Sequence, residues 1–388
     1  MIFKKYDRTD PEPARHQESF YEFYDRCKSP AAALIRSELE RWAKNYPADC
    51  RDELYHRFPG AFESAFFELF LHELFTRQGA SVAIHPNVGT KGKRPDFQVV
   101  NPPSSQAIIV EAAVCLDEMI GGSQMPMMKS IYDGINEISS PHSFILIHDV
   151  ILKSGQQPAL REIRKSLEGE LKRIDPQELL HTTEISGRGQ TLCYEDRNVK
   201  MILEIVAKKR DVWNRPGRPT IGMPPMTTRW GDGSEAIQNT LSKKAKRYGA
   251  VEQPFVIAVN TRGSWGHSER ESAGVLFGKE QSYIAAETGE LCSRPLHDGF
   301  WGNAERPKHT RVSAVVLGCV FPANVGRAKL CAYYNPWAVH PMPESFWCLP
   351  TMKLDEGRIV WVDTGLTPGS ILGLPHDWPG DLFEERPR

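Results

Sequence analysis

Residues 61–114 constrain the fold most, because the spacing of their apolar residues changes from helical to strand-like. The segment AFESAFFELFLHELFTRQG predicts a helix that ends at Gly79. Three strands are predicted after it, in ASVAIHP, PDFQVV and AIIVEAAV, and the turn-rich NPPSSQ joins the last two. One helix followed by three strands predicts an α/β core.

Three acids lie inside these apolar segments. Asp96 opens the second strand, Glu111 lies near the end of the third, and Glu68 stands among phenylalanines on the helix. A buried carboxylate is unfavourable unless it is paired, hydrogen-bonded or bound to a metal. On adjacent strands Asp96 and Glu111 would lie within ~5 Å and repel, and a divalent cation would remove that repulsion. Oxygen ligands of this kind favour Mg²⁺ or Mn²⁺.

Ordinary structural roles remain open for the same residues. Asp96 would then bond to a turn, and Glu111 would face solvent or pair with an arginine. The other helix acids, Glu63 and Glu73, are predicted nearer to solvent or to a helix end. His72 is predicted to be a core or supporting histidine rather than a metal ligand.

The order of these residues resembles the PD-(D/E)xK nuclease superfamily, which has the restriction-endonuclease-like fold. The matching positions are Glu68 on the helix, Pro95-Asp96 at the second strand and Glu111 on the third. The resemblance covers residues 61–114 and extends loosely to SKKAKRYG and PFVIAVN. It implies a mixed central sheet flanked by helices and metal-dependent hydrolysis of phosphodiester bonds.

The resemblance also implies how the ion is held. Asp96 and Glu111 would bind Mg²⁺ or Mn²⁺, and the Ala112 carbonyl would be a further ligand. Glu68 would bind the metal directly, through water or at a second metal site.

The sequence departs from the family pattern at Ala113, where the motif has a lysine two residues after the second acid. That lysine positions the attacking water and stabilises charge on the phosphate, which alanine cannot do. A basic residue from elsewhere would have to replace it. Lys129 and Lys246 are predicted catalytic candidates, and Lys243 and Lys244 are alternatives on the same later helix as Lys246.

Nucleic-acid contacts are predicted in local basic patches, because Lys plus Arg is 48, Asp plus Glu is 49, and the net charge is −1. The densest runs are KKRDVWNRPGR, in which Trp213 could stack on a base, and KKAKR, for which a solvated helix face is the alternative. The predicted contacts are Lys93, Arg94, Lys209, Arg210, Arg215, Arg218, Lys243 and Lys244.

The rest of the chain predicts four regions. These are an N-terminal helical region (1–58), a nuclease-like core (59–210), an α/β region that completes the core or forms a second domain (220–365) and an irregular tail (366–388). Helices are expected over residues 17–46 and from Ser234 to Gly249, the latter capped by Ser234. The fold class expected is α/β with an N-terminal helical extension and a C-terminal β-rich region.

Composition predicts where in the cell the protein is located. The eight cysteines are scattered without a zinc-ligand pattern, which predicts buried, reduced thiols. No apolar stretch approaches the ~20 residues that span a bilayer. We therefore expect a cytoplasmic protein with no membrane partner.

Two functions follow as hypotheses. The first is a Mg²⁺-dependent nuclease that acts on DNA, within a restriction or phage-defence system, as a homodimer or as a subunit with a partner. The second is a degenerate nuclease fold that binds nucleic acid or a protein without cleaving, and Ala113 motivates it.

Overall fold

A computed structural model describes residues 1–12, 14, 18–88, 92–101, 106–115, 125–214, 220–222, 233–249, 251–261, 269–284, 291–295, 298–343, 346–355 and 357–380. The chain divides into two compact units. The first contains Met1–Pro13, Ser19–Asp117 and Asp232–Arg388, and the second contains Ala14–Glu18 and Glu118–Gly231.

The described helices and strands are named in chain order. The helices are α1 Phe20–Arg26, α2 Pro30–Asn45, α3 Ala48–Arg57, α4 Phe62–Arg77, α5 Met125–Asn136, α6 Leu160–Arg173, α7 Pro176–Ser186, α8 Gly233–Ala245, α9 Glu269–Phe277 and α10 Pro368–Leu372. The strands are β1 Ser81–Ile84, β2 Phe97–Val100, β3 Ala107–Cys115, β4 Ser143–Leu152, β5 Gln190–Glu195, β6 Val199–Ala207, β7 Ile221–Gly222, β8 Phe255–Thr261, β9 Glu280–Ile284, β10 Leu291–Pro295, β11 Ala314–Gly318, β12 Leu330–Tyr334, β13 Thr351–Asp355 and β14 Arg358–Val362.

The first unit is built on a mixed eight-stranded sheet in the order β1-β2-β3-β8-β11-β12-β13-β14. Its centre is parallel, because β8 pairs in parallel with both β3 and β11. The expected helix and three strands of residues 61–114 are confirmed as α4, β1, β2 and β3. Of the two options for residues 220–365, the structure shows completion of this sheet, by β8, β11, β12, β13 and β14.

Helices cover both faces of the central strand β3. Val110 and Ala112 belong to the hydrophobic cluster that includes α4, whereas Ile109 and Ala113 belong to the cluster that includes α8. Alternate side chains of a strand point to opposite faces, so β3 is packed between these two helices. Glu111 lies between Ile109 and Ala113 in the alternation and therefore faces the side of α8.

The second unit has its own sheet, in the order β5-β6-β4-β7. Strands β5 and β6 meet around the segment YEDRNVKMILEIVAKK and pair antiparallel. A separate core joins this sheet to α5 and α6 through Ile131, Ile145, Ile163, Leu167 and Leu203. The unit is thus an insertion between β3 and α8.

This division differs from the boundaries predicted at residues 59–210 and 220–365. The break predicted between residues 210 and 220 falls inside the second unit, which continues to Gly231. The pairing of β3 with β8 joins segments on either side of it into one unit. Pairing between strands so distant in sequence leaves no local signal in composition.

Other differences are local. The helix expected over residues 17–46 is two helices, because Ser29 caps α2 and Pro30 occupies its first turn. Helix α8 begins at Gly233, so Ser234 lies inside its first turn. The tail, expected to be irregular, contains α10. The hairpins β9–β10 and β13–β14 were not predicted.

Two observations bear on the expectations from composition. Of seven free cysteines in the described residues, Cys27, Cys115 and Cys331 are buried, three are half-buried and Cys193 is exposed. Within the described residues, no helix combines the length and apolar character required to cross a bilayer.

Candidate active site

Asp96 and Glu111 meet at the junction of β2 and β3. The strands pair antiparallel with Phe97 opposite Val110, so one further step places Asp96 opposite Glu111. The amide of Ala112 donates a hydrogen bond of 2.7 Å to Oδ2 of Asp96. The predicted apposition of the two acids is therefore present, and backbone pairing fixes it.

Asp96 is the acid whose charge is least compensated. Burial, and after it the nearby charges of Glu111 and Glu68, together raise its pKa to about 8. The Ala112 amide and the Lys244 ammonium oppose the rise. The ionised form of Asp96 is therefore unfavourable, and a proton or an added positive group beside it would relieve that cost.

Glu111 is 1% exposed and is held by three partners from the end of α8 and the turn after it. Its Oε1 accepts from Lys244 Nζ at 2.6 Å and from Arg247 Nη1 at 2.8 Å. Its Oε2 accepts a short hydrogen bond from the Tyr248 hydroxyl. Burial, followed by this bond to Glu111, raises the pKa of Tyr248 above its usual value, so the phenol stays protonated as a donor.

Lys244 supplies an ammonium group on the face where Ala113 supplies none. Ala113 is buried in the cluster that α8 covers, and Lys244 extends from α8 toward the same strand. Its Nζ also lies 3.3 Å from the Ala112 carbonyl oxygen. An ammonium from the later helix thus contacts both the second acid and the residue next to it.

The other lysine candidates lie elsewhere. Lys243 and Lys246 are exposed. Lys129 is half-buried on α5 in the second unit. Within the described part of the chain, the lysine that hydrogen-bonds Glu111 is Lys244, which was predicted as a nucleic-acid contact and as an alternative lysine.

Glu68 is buried on α4 and is paired with an arginine. Arg57, near the end of α3, forms a bidentate pair with it, with Nη1 2.7 Å from Oε2 and Nη2 in close contact with Oε1. This pairing raises the pKa of Arg57, because the guanidinium is stabilised by the carboxylate. Both Glu68 oxygens are therefore occupied, although its charge still acts on Asp96.

Two residues of α4 next to Glu68 serve the core. His72 is 3% exposed, its ring lies 4.8 Å from that of Tyr46, and burial lowers its pKa to about 4. Glu73, expected near solvent, is instead fully buried at 0% exposure and pairs with Arg41, Arg77 and Asn45. That expectation was wrong because α4 is buried around nearly its whole circumference.

Across the part of the chain that the structure describes, no three His, Cys, Asp or Glu side chains form a group able to hold a metal ion. Glu111 and Glu68 both act electrostatically on Asp96, but Arg57 holds Glu68 in a separate pair. Asp96 and Glu111, with the Ala112 carbonyl, remain as the adjacent oxygen donors.

The predicted nucleic-acid contacts are divided between the two units of the chain. Lys93 and Arg94 are exposed just before Asp96. Lys209 and Arg210 lie in the second unit, where Arg210 stands over the Trp213 ring at 5.9 Å. Arg215 and Arg218 fall outside the described residues.

Sequence reasoning missed Arg57, Arg247 and Tyr248. A signal existed for the last two, because they follow Lys244 by three and four residues, the spacing that places side chains on one helical face. Arg57 had no such signal, since α3 and α4 meet only in the folded chain.

Comparison of the chain with family models, with curated proteins and with solved structures found no match.

Proposed function

We propose that this chain is a metal-dependent nuclease of the PD-(D/E)xK type, with a restriction-endonuclease-like core and with DNA as its substrate. The observation that carries the proposal is the Lys244 ammonium, 2.6 Å from Oε1 of Glu111, on the strand face where Ala113 replaces the motif lysine. A lysine contributed by α8 would restore the chemistry that the linear motif lacks.

The donors present fit a hard divalent cation such as Mg²⁺ or Mn²⁺. Asp96, Glu111 and the Ala112 carbonyl offer oxygen ligands only, which is the set such ions prefer. The raised pKa of Asp96, caused by burial and by neighbouring carboxylates, supports a need for added positive charge. We therefore assign these two acids and the Ala112 carbonyl as ligands, and we assign Glu68 a positioning role through its charge.

When bound, the ion would lower the pKa of a coordinated water and neutralise charge on the scissile phosphate. Lys244 would donate to a phosphate oxygen as negative charge grows there, and such preorganised donors contribute about 3 kcal/mol. Tyr248 and Arg247 would keep Glu111 oriented, because their hydrogen bonds fix both of its oxygens.

One observation favours the second candidate, a fold that binds nucleic acid without cleaving it. Glu111 is already neutralised by Lys244 and Arg247 and accepts from Tyr248. A carboxylate whose charge is already balanced gains less free energy when it binds a metal ion. The two functions predict opposite results in the same assay.

The first prediction is that purified protein cleaves DNA only with Mg²⁺ or Mn²⁺, and that Lys244→Met lowers the rate at least about 100-fold. Asp96→Asn and Glu111→Gln are expected to abolish cleavage. Rates would be measured on single-stranded, linear and supercoiled DNA and on RNA.

Lys165→Met is the control, because it removes an exposed lysine from α6, a helix that carries no residue of the candidate site. It should cleave at the wild-type rate. Thermal melting of each variant would establish that it is folded. If the wild-type protein cleaves none of these substrates with either ion, the nuclease proposal fails and the binding function replaces it.

A further inference from the structure

An exposed basic loop lies just before β11 and has no place in the site described above. Arg306, Lys308 and Arg311 are all exposed within residues 305–311. Among the described residues, no acid forms a salt bridge with Lys308 or Arg311. Their charges are thus available to a ligand.

Hydrogen bonds fix this loop beside the end of α8. The Ser313 amide donates to the Phe255 carbonyl at 2.7 Å, and the Phe255 amide donates to Oγ of Ser313 at 2.9 Å. The ring of Tyr248, which holds Glu111, packs edge-on against Phe255 at 5.7 Å. The loop and the Glu111 partners therefore share one edge of the sheet.

The charges of the loop converge with that of Lys246, which follows α8 and is exposed. Burial lowers the pKa of His309, and the charges of Lys246, Lys308 and Arg311 lower it further. Lys308 and Arg311 flank His309 in the loop, and Lys246 stands two residues before Tyr248, whose ring packs on Phe255. We call Lys246, Lys308 and Arg311 the basic ridge.

The backbone beneath the ridge is anchored. The His309 ring stacks on Phe300 with a centroid separation of 4.0 Å. The Lys308 amide donates to the Trp301 carbonyl at 2.8 Å, and the Val312 amide donates to the His309 carbonyl at 2.8 Å. Cations on an anchored loop lose less conformational entropy when they bind a ligand.

We propose that the basic ridge binds the phosphate backbone of a DNA strand and directs it toward Lys244. The three cations lie beside one another, near the edge of the sheet where Lys244 is proposed to bind a phosphate oxygen. Such a row of charges matches a polyanion with regularly spaced charges. The inference rests on the proposed substrate class, but it does not require cleavage. It also differs from the contacts predicted from sequence, which include neither Lys308 nor Arg311.

The test measures binding rather than hydrolysis. Full-length Asp96→Asn protein, which is expected not to cleave, would be titrated into a fluorescent DNA duplex at several salt concentrations. Adding Lys308→Gln and Arg311→Gln should reduce the slope of log affinity against log salt by about 1.8, since each lost phosphate contact removes about 0.9. The loss should be equal for duplexes of unrelated sequence.

Arg327→Gln with Lys329→Gln is the charge-matched control. These residues lie toward the opposite end of β11, where Gly318 pairs with Leu330. The control should keep the slope of the Asp96→Asn parent. Equal slopes for the ridge variant and the control, or no binding of DNA by the parent, would overturn the inference.

The outcomes separate this inference from the nuclease proposal. Cleavage by wild-type protein together with an unchanged slope in the ridge variant would refute the ridge alone. A reduced slope in the ridge variant without wild-type cleavage would support the ridge and refute hydrolysis. The same variants would be titrated with heparin. If the ridge variant loses as much affinity for heparin as for DNA, the ridge has no preference for DNA and the assignment to nucleic acid is refuted.

Discussion

At the residue scale, two neighbouring acids are treated differently by the fold. Glu111 receives two cations and a hydroxyl, whereas Asp96 receives one backbone amide as its hydrogen-bond donor. The difference arises because α8 approaches the face of β3 that carries Glu111. The ionised carboxylate of Asp96 is therefore unfavourable, and binding of a proton or a metal ion would relieve that cost.

The pH dependence of stability follows from that charge. The pKa of Asp96 is raised to about 8 by burial and neighbouring acids in the folded protein, and it is about 3.9 in an unfolded chain. Between those values the folded state holds a proton that the unfolded state has lost. The free energy of unfolding should therefore fall as pH rises through this window.

Asp96→Asn removes this dependence, because asparagine does not ionise. Urea unfolding at pH 5, 7 and 9 should show wild type losing stability relative to Asp96→Asn as pH increases, while Mg²⁺ at pH 9 restores wild type only. Asp52→Asn, at an exposed position of α3, is the control. A difference between wild type and Asp96→Asn that stays constant with pH would contradict the assignment.

At the element scale, α4 and α8 place the site from opposite faces of β3. Helix α4 was predictable from its unbroken apolar pattern, and α8 from its Gly stop and its spacing. Neither pattern indicates that α3 would end beside α4. The pair between Arg57 and Glu68 depends on the contact between α3 and α4. Tertiary packing therefore determines this pair, and the local sequence does not indicate it.

Arg57→Met should destabilise the protein by about 3 kcal/mol, since it leaves Glu68 buried and unpaired. This is the lower end for a buried pair, because the Arg57 side chain is 28% exposed. Arg57→Met combined with Glu68→Leu should recover most of the loss. Urea denaturation of the two singles and the double measures the coupling.

Arg77→Met is a control for the loss of an arginine from a buried acid. Glu73 retains Arg41 and Asn45 after this change, so the expected cost is about 1 kcal/mol. Equal costs for Arg57→Met and Arg77→Met would show that the bidentate pair has no special role.

At the scale of the whole molecule, each compact unit has its own hydrophobic core. The clusters around α4 and α8 draw only on the first unit, and the cluster around Leu203 draws only on the second. A core that is complete within one unit can loosen without opening the other.

Leu203→Ala should lower local stability in the second unit by about 2–5 kcal/mol, because the fully buried side chain leaves a cavity. Hydrogen exchange should accelerate in β4, β5 and β6 and stay unchanged in β3 and β8. Faster exchange in all five strands would mean that the two units unfold together.

The sequence by itself determined the elements of residues 61–114 and the apposition of Asp96 with Glu111. Both follow from local periodicity and from a short antiparallel connection, which act between residues close in the chain. Only the tertiary structure decided that Lys244 reaches Glu111, that Arg57 occupies Glu68 and that residues 118–231 form an inserted unit. Those outcomes depend on the pairing of β3 with β8 and on the helices that cover it. Contacts between distant segments are selected by burial and charge compensation in the whole fold, and no single segment encodes them.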